Sequence, residues 1–252
     1  MEQARANFRI GEAFPSTDPR AGFVVRLAMA FHDMRVNYDL IARDEIKGPT
    51  RLWLVRLMVA QIREATVVVT PLTRTPILTL EDYLEPFEDD HPEDVREARE
   101  AAAELKSVIQ APWAAGGTVW KEFTRIRNGV YHYGHNADGE KQLVAAMEMA
   151  AEQPGGIVLS DDLEIRGRGY PYKLSQQMTF PGASKADAIE RFEELMVPIE
   201  SSIKLLRRVV DRVEGLWITT RNPGVVTLTY ADGRFEPHDG RGLNSSRLRD
   251  GA

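Results

Sequence analysis

Cysteine is absent from the 252 residues, which removes disulfides, thiolate nucleophiles and sulfur-ligated zinc or iron–sulfur sites. Any metal would need His, Asp or Glu ligands. Long apolar runs are missing too. No stretch approaches 18 uninterrupted apolar residues, and Met1–Pro19 carries scattered charges in place of the apolar core of a signal peptide. The expectation is a cytoplasmic chain that is neither exported nor membrane-spanning. There is no internal repeat, glycine-rich phosphate loop, G-x-S-x-G elbow or H-E-x-x-H pair, so most enzyme classes lose their usual sequence support. A basic excess is lacking as well, since the formal net charge is −6, and phosphate binding normally leaves a basic footprint. The charge is unevenly spread, however. Between Glu81 and Glu104 eleven carboxylates stand against Arg96 and Arg99, a local −9 that leaves the rest of the chain at +3.

What is present is 43% hydrophobic, enough to bury a core without staples. The periodicity predicts a mainly α protein: a helical bundle with a small accessory β-hairpin element. Phe23, Leu27, Phe31, Met34, Tyr38 and Ile41 recur every three or four residues over 21–43, marking one apolar helix face. Over 50–69 the apolar set (Leu52, Trp53, Leu54, Val55, Leu57, Met58, Val59, Ile62) covers most of the circumference, which predicts a central helix. Residues 92–110 read as a charged surface helix with Glu93 and Asp94 at its positive end. A helix over 118–127, with Val119, Trp120, Phe123 and Ile126 inward, is expected to stop at Asn128–Gly129. A further short helix is expected over 141–152.

From 157 to 180 the pattern changes, because Gly155, Gly156, Gly167, Gly169 and Pro171 oppose a helix and predict a hairpin or extended arm. Ser184 with Asp187 makes a capping box. After it Ile189, Phe192, Met196, Ile199, Ile203, Leu206, Val210, Val213 and Trp217 define the strongest helix, which Pro198 should kink or split. These signals divide the chain into an N-terminal extension (1–20), a helical domain (21–218), a C-terminal β-hairpin (219–236) and a disordered tail (237–252).

The sharpest chemical pattern is Phe123-Thr-Arg-Ile-Arg-Asn-Gly-Val-Tyr-His-Tyr-Gly-His135. An Arg fork holds phosphate bidentately and stabilises charge that builds on it, while a His titrating near neutrality moves protons to and from ribose oxygens. Arg127, Asn128 and His132 fit R-N-x-x-x-H, and this resembles the signature of the HEPN superfamily of helical ribonucleases and toxins. The resemblance implies a helical, homodimeric, metal-independent endoribonuclease, in a toxin–antitoxin or phage-defence setting with an antitoxin or other regulatory protein. It implies catalytic roles for Arg127 and His132, with Asn128 as their polar neighbour, and it implies no cofactor. Position 134 is Gly where some members carry a Tyr that is adenylylated, and Tyr133 stands one residue early, so that mode of control is not implied. The resemblance covers the helical parts and leaves the β-like segments unexplained.

Other Arg-to-His gaps compete with this one. Arg26 to His32 has five intervening residues, and Arg125 to His132 has six. Arg127 is preferred because Asn128 follows it and because the segment is expected to end a helix there; on an unbroken helix a five-residue offset separates two side chains by about 140°. The bland alternative is a helix C-cap followed by a surface-loop His132. In that case the chain is a catalytically inactive helical module that dimerises or binds a partner. Arg125, Tyr131, Tyr133 and His135 flank the motif as candidate RNA contacts. Arg166, Arg168 and Tyr170 join them, since cations beside aromatic faces suit a single strand, although an exposed hairpin tip would look the same. His132, His135 and Asp138 could hold a metal, but the surrounding Gly134, Asn136 and Gly139 suggest no fourth ligand, so none is expected. The long apolar stripe from Ile189 to Trp217 predicts self-association.

Overall fold

The structure is a computed structural model that describes residues 4–7, 10–42, 48–70, 78–113, 116–131, 137–150, 174, 176–221, 227–230 and 235–237. Its elements run β1 (Ala4–Asn7), α1 (Ile10–Ala13), α2 (Pro19–Ile41), α3 (Gly48–Val69) and α4 (Leu80–Leu84), followed by a 3₁₀ turn (Glu85–Phe87). Then come α5 (Pro92–Gln110), α6 (Val119–Tyr131), α7 (Ala137–Ala150), a helical turn at 176–179, α8 (Lys185–Arg221), β2 (Thr227–Tyr230) and β3 (Phe235–Pro237). The fold is mainly α, and among the described residues no helix is long and apolar enough to cross a membrane. β2 pairs antiparallel with β1 (Ala4 opposite Tyr230) and with β3 (Thr229 opposite Phe235).

The chain forms two compact units, and the four cuts between their segments fall within α2, α3, α5 and α8. The first unit comprises 1–31, 65–104 and 205–252. Its core is apolar and aromatic: Tyr83 lies 5.1 Å from Phe23 and 5.3 Å from Phe87, ring centre to ring centre. The polar tips of its two large amphipathic rings are satisfied, Tyr83 Oη donating to the Val213 carbonyl at 2.8 Å and Trp217 Nε1 to the Ala13 carbonyl at 2.8 Å. Burial pushes the Tyr83 phenol well above its usual range.

Ion pairs line the outside of this unit. Arg99 holds Glu81 and Glu88, Arg208 holds Glu104 at 2.9 Å, and Arg212 holds Asp94 and Glu97. The acidic stretch is therefore bridged by arginines, with Arg208 and Arg212 reaching it from α8.

The second unit comprises 32–64 and 105–204. Met34, Val55, Met58, Val59, Ile62, Leu105, Ile109, Phe123, Leu195 and Ile199 are fully or almost fully buried, and so are the polar Asn37, Arg56, Gln177, Thr179 and Ser202. Asn37 Nδ2 donates to Gln61 Oε1 at 2.6 Å, and Tyr38 Oη donates to Glu200 Oε1 at 3.3 Å.

Several expectations are corrected. The accessory β-hairpin over 157–180 is not seen among the described residues. Residues 151–173 lie outside them, and 174 and 176–179 are helical, with Leu174 and Met178 four residues apart on one face and Met178 buried. The helix holding Arg127 does not end at Asn128–Gly129 but runs on to Tyr131. In sequence Val130 continues the 119, 123, 126 spacing, and a glycine is tolerated inside a helix at a cost of about 1 kcal/mol.

Pro198 lies inside an uninterrupted 37-residue α8. The proline therefore does not split the helix, and its ring is buried beside Ile199. α8 starts as predicted, with Asp187 N donating to Ser184 Oγ and Ser184 N to the Asp187 carboxylate. Trp53 and Ile189, both assigned to apolar faces, are 50% and 56% exposed. The N-terminal segment is more than an extension: it carries β1 and α1, and Asp18 caps α2 by accepting from Arg20 N at 2.9 Å. The C-terminal tail at 238–252 lies outside the described residues.

Candidate functional site

α6 begins after Thr118, whose Oγ1 accepts from Lys121 N at 3.3 Å. The preceding connection turns at Gly116 and Gly117, with φ of 97° and 85°, backbone angles that side chains other than glycine rarely adopt. At about 100° per residue, the helix presents three faces. Val119, Phe123 and Ile126 point into the core. Trp120, Thr124 and Arg127 form a second face, and Lys121, Glu122 and Arg125 a third. Arg125 and Arg127 therefore stand about 160° apart around the axis.

The second face meets α3. Arg127 Nε donates to Glu64 Oε1 at 3.1 Å, and Arg63 Nη1 donates to the same oxygen at 2.8 Å. Two guanidinium groups thus converge on one carboxylate oxygen. Arg63 is fixed from the other side by Trp120, whose ring centre lies 5.1 Å from the guanidinium carbon, a cation–π geometry. Arg127 Nη1 also donates to Asn128 Oδ1 at 3.3 Å, so the first two members of the R-N-x-x-x-H pattern are in contact. The side chains of Arg63 and Arg127 are 23% and 25% exposed, and that of Glu64 is 48% exposed. The cations are mostly covered, and the anion between them is half in solvent. Arg63 Nε and Thr124 Oγ1 are sealed from solvent with no acceptor or donor in reach, so this face is under-supplied with acceptors.

The third face lines a cleft of about 720 Å³, bounded by Trp113, Lys121, Phe180, Glu190 and Arg191 among others. Arg125 spans its floor. It grips the Glu122 carboxylate with both forks, at 2.9 and 2.6 Å, and donates to the carbonyls of Met178 and Thr179, the latter at 2.5 Å. Buried Gln177 accepts from Gly182 N at 3.0 Å and donates to the Ala183 carbonyl at 3.3 Å, while Arg191 donates to the Pro181 carbonyl at 2.9 Å. Three side chains therefore tie down the corner at 178–183. The cleft lining holds four carboxylates against three cations, so it carries no basic excess for a phosphate.

Of the residues singled out in the sequence, Arg127 and Asn128 are brought together, and Arg125 is turned to the opposite side of α6, where it ties backbone carbonyls. Tyr131 is the last residue of α6. His132, Tyr133, His135, Arg166, Arg168 and Tyr170 lie outside the described residues. Asp138 is in α7. Among the described residues no group of three or more His, Asp or Glu is placed to hold a metal. His32 and Arg26 are both exposed on α2, where a six-residue offset separates them by about 120°. Sequence reasoning missed Arg63, Glu64 and Trp120 as neighbours of Arg127. The signal was available: on a helix apolar around most of its circumference, the few charged positions of α3 need partners. No family model matches the chain, and no curated protein or solved structure matches it.

Proposed function

We propose that this chain is a HEPN-like, metal-independent endoribonuclease. The observation that carries the reading is the contact of Arg127 with Asn128 at 3.3 Å, on a helical face whose arginine side chains are mostly covered, with Asn128 four residues before His132 in the chain. A partly desolvated Arg fork binds a phosphodiester more strongly than one in bulk water. In the proposed reaction one His132 takes the ribose 2′-hydroxyl proton and the 2′-oxygen attacks phosphorus. A second His132, from a partner copy, returns a proton to the departing 5′-oxygen. The products are a 2′,3′-cyclic phosphate and a 5′-hydroxyl, and Arg127 stabilises the charge that builds on the phosphoryl oxygens. The substrate is RNA, the working form a homodimer, the setting a cytoplasmic toxin or phage-defence system with an antitoxin or other regulator. Arg166, Arg168 and Tyr170 would add phosphate and stacking contacts to a single strand.

The test is cleavage of total RNA by Arg127→Ala, His132→Ala and His32→Ala, each with and without EDTA. The first two are expected to lose about two to four orders of magnitude in rate with nearly unchanged helical circular dichroism. The third should cut normally, and chelation should have no effect. Parental activity in the Arg127 and His132 variants ends the assignment, and loss in His32→Ala alone transfers it to the Arg26–His32 pair. A second reading, a catalytically inactive partner-binding module, is favoured by the exposed Val144, Met147 and Met149 of α7 (48%, 55% and 44%). It predicts no cleavage by the parent at all.

A further inference from the structure

The ribonuclease reading names one cation, Arg127. The structure places a second beside it, from a different helix, and sets a carboxylate between the two. We infer that Arg63 and Arg127 form a two-arginine seat for a backbone phosphate of single-stranded RNA, and that Glu64 occupies this seat until the phosphate displaces it. This rests on the proposal that RNA is the substrate.

The argument starts from what Glu64 Oε1 does. It accepts from Arg63 Nη1 at 2.8 Å and from Arg127 Nε at 3.1 Å, which is how a phosphoryl oxygen sits between two guanidinium groups. The two cations differ in freedom from the anion. Arg63 is stacked on Trp120, and Arg127 is braced by Asn128. Glu64 has no such brace: its side chain is 48% exposed, and an exposed ion pair of this kind holds weakly. The fixed partners are the arginines, and the movable one is the carboxylate. Arg63 Nε lacks any acceptor, so its guanidinium is not saturated by the protein.

The charges also favour exchange. Two arginines and one glutamate leave the cluster at +1, whereas the cleft on the opposite face of α6 is lined by more carboxylates than cations. A phosphodiester approaching α6 is therefore drawn to the α3 side. Arg63 acts here as a binding residue; Glu64 acts by competition, setting how strongly RNA must bind before Arg127 is released to it.

The experiment measures binding separately from cleavage. A fluorescent single-stranded oligoribonucleotide carrying 2′-O-methyl groups cannot be cut through its 2′-oxygen, so its anisotropy reports affinity alone. Glu64→Gln removes a negative charge within a few ångströms of the phosphate and should tighten binding about fivefold at low salt. It should also steepen the dependence of log K on log salt by about 0.7, the value for one additional phosphate contact on a single strand. Arg63→Ala should weaken binding at least as much. Glu64→Ala serves as the second variant if the glutamine form does not fold, with circular dichroism checking both. Unchanged affinity in folded Glu64→Gln, or in folded Glu64→Ala, overturns the seat. So does failure of the parent and every variant to bind the oligonucleotide. If the Glu64 variants tighten binding while the parent leaves unmodified RNA intact, the seat stands and the ribonuclease reading falls. If the parent cuts RNA but neither Glu64 variant alters affinity, the ribonuclease reading stands and the seat falls.

Discussion

The two units handle polar groups differently. In the first, Tyr83 and Trp217 are buried with their polar tips on backbone carbonyls, the buried polar side chains among its described residues are the small Thr66 and Thr70, and Arg99, Arg208 and Arg212 are each committed to carboxylates at its rim. In the second, Asn37, Arg56, Gln177, Thr179 and Ser202 lie inside, and Arg63 and Arg127 share a single anion. Burying polar groups costs free energy unless they are paired, and an apolar core avoids that cost. A region that accepts the cost is the better place to look for chemistry, whereas one whose rim arginines are paired with its own carboxylates reads as scaffold.

The sharpest way to break this comparison is to damage the scaffold. Trp217→Ala removes a fully buried ring stacked near Phe14 and should destabilise the protein by about 3–5 kcal/mol; a loss below about 1 kcal/mol in urea melts would mean the first unit does not depend on this core. Gln177→Ala in the second unit removes the partner of the Ala183 carbonyl and leaves Gly182 N only the weaker Met149 Sδ acceptor, and should cost about 1 kcal/mol. Amide exchange at Gly182 should accelerate with it, and unaltered protection there would show that the corner is held by other means.

The smallest effect concerns Glu214. Its carboxyl is raised above the ordinary 4.5, first by burial and then by Asp211. A carboxyl raised in the folded state favours folding fully only below its unfolded value, and that contribution is lost as pH rises through the folded value. Glu214→Gln should therefore melt higher than the parent at pH 7, with the difference fading as pH falls toward 4.5. A constant difference across that range would assign the effect to packing instead of charge.

Helix existence was legible because it rests on local periodicity. α5 spans the predicted 92–110, and α2, α3 and α8 lie within a few residues of their expected positions. Their ends were less legible. The Asn128–Gly129 stop signal did not end α6, and Pro198 lies within a helix that continues on either side of it. At the site, the motif named Arg127 and Asn128, but the ion pair with Glu64 spans 63 positions and leaves no local trace. Arg125 illustrates the same limit. An arginine beside a motif reads as a ligand contact, and only the return of the chain at 178–179 reveals it as a tie on backbone carbonyls.

The cuts between the units have a consequence for synthesis on the ribosome. Because they fall inside α2, α3, α5 and α8, neither unit is a continuous stretch of chain, and the first lacks Val213 and Trp217 until the final quarter of translation. At roughly 5–20 residues per second, Phe23 and Tyr83 wait on the order of ten seconds or more for the α8 residues that cover them. During that interval the aromatic cluster is a surface that nascent-chain chaperones can hold, and a stall after about residue 204 would release the second unit's segments complete while the first remains unclosed.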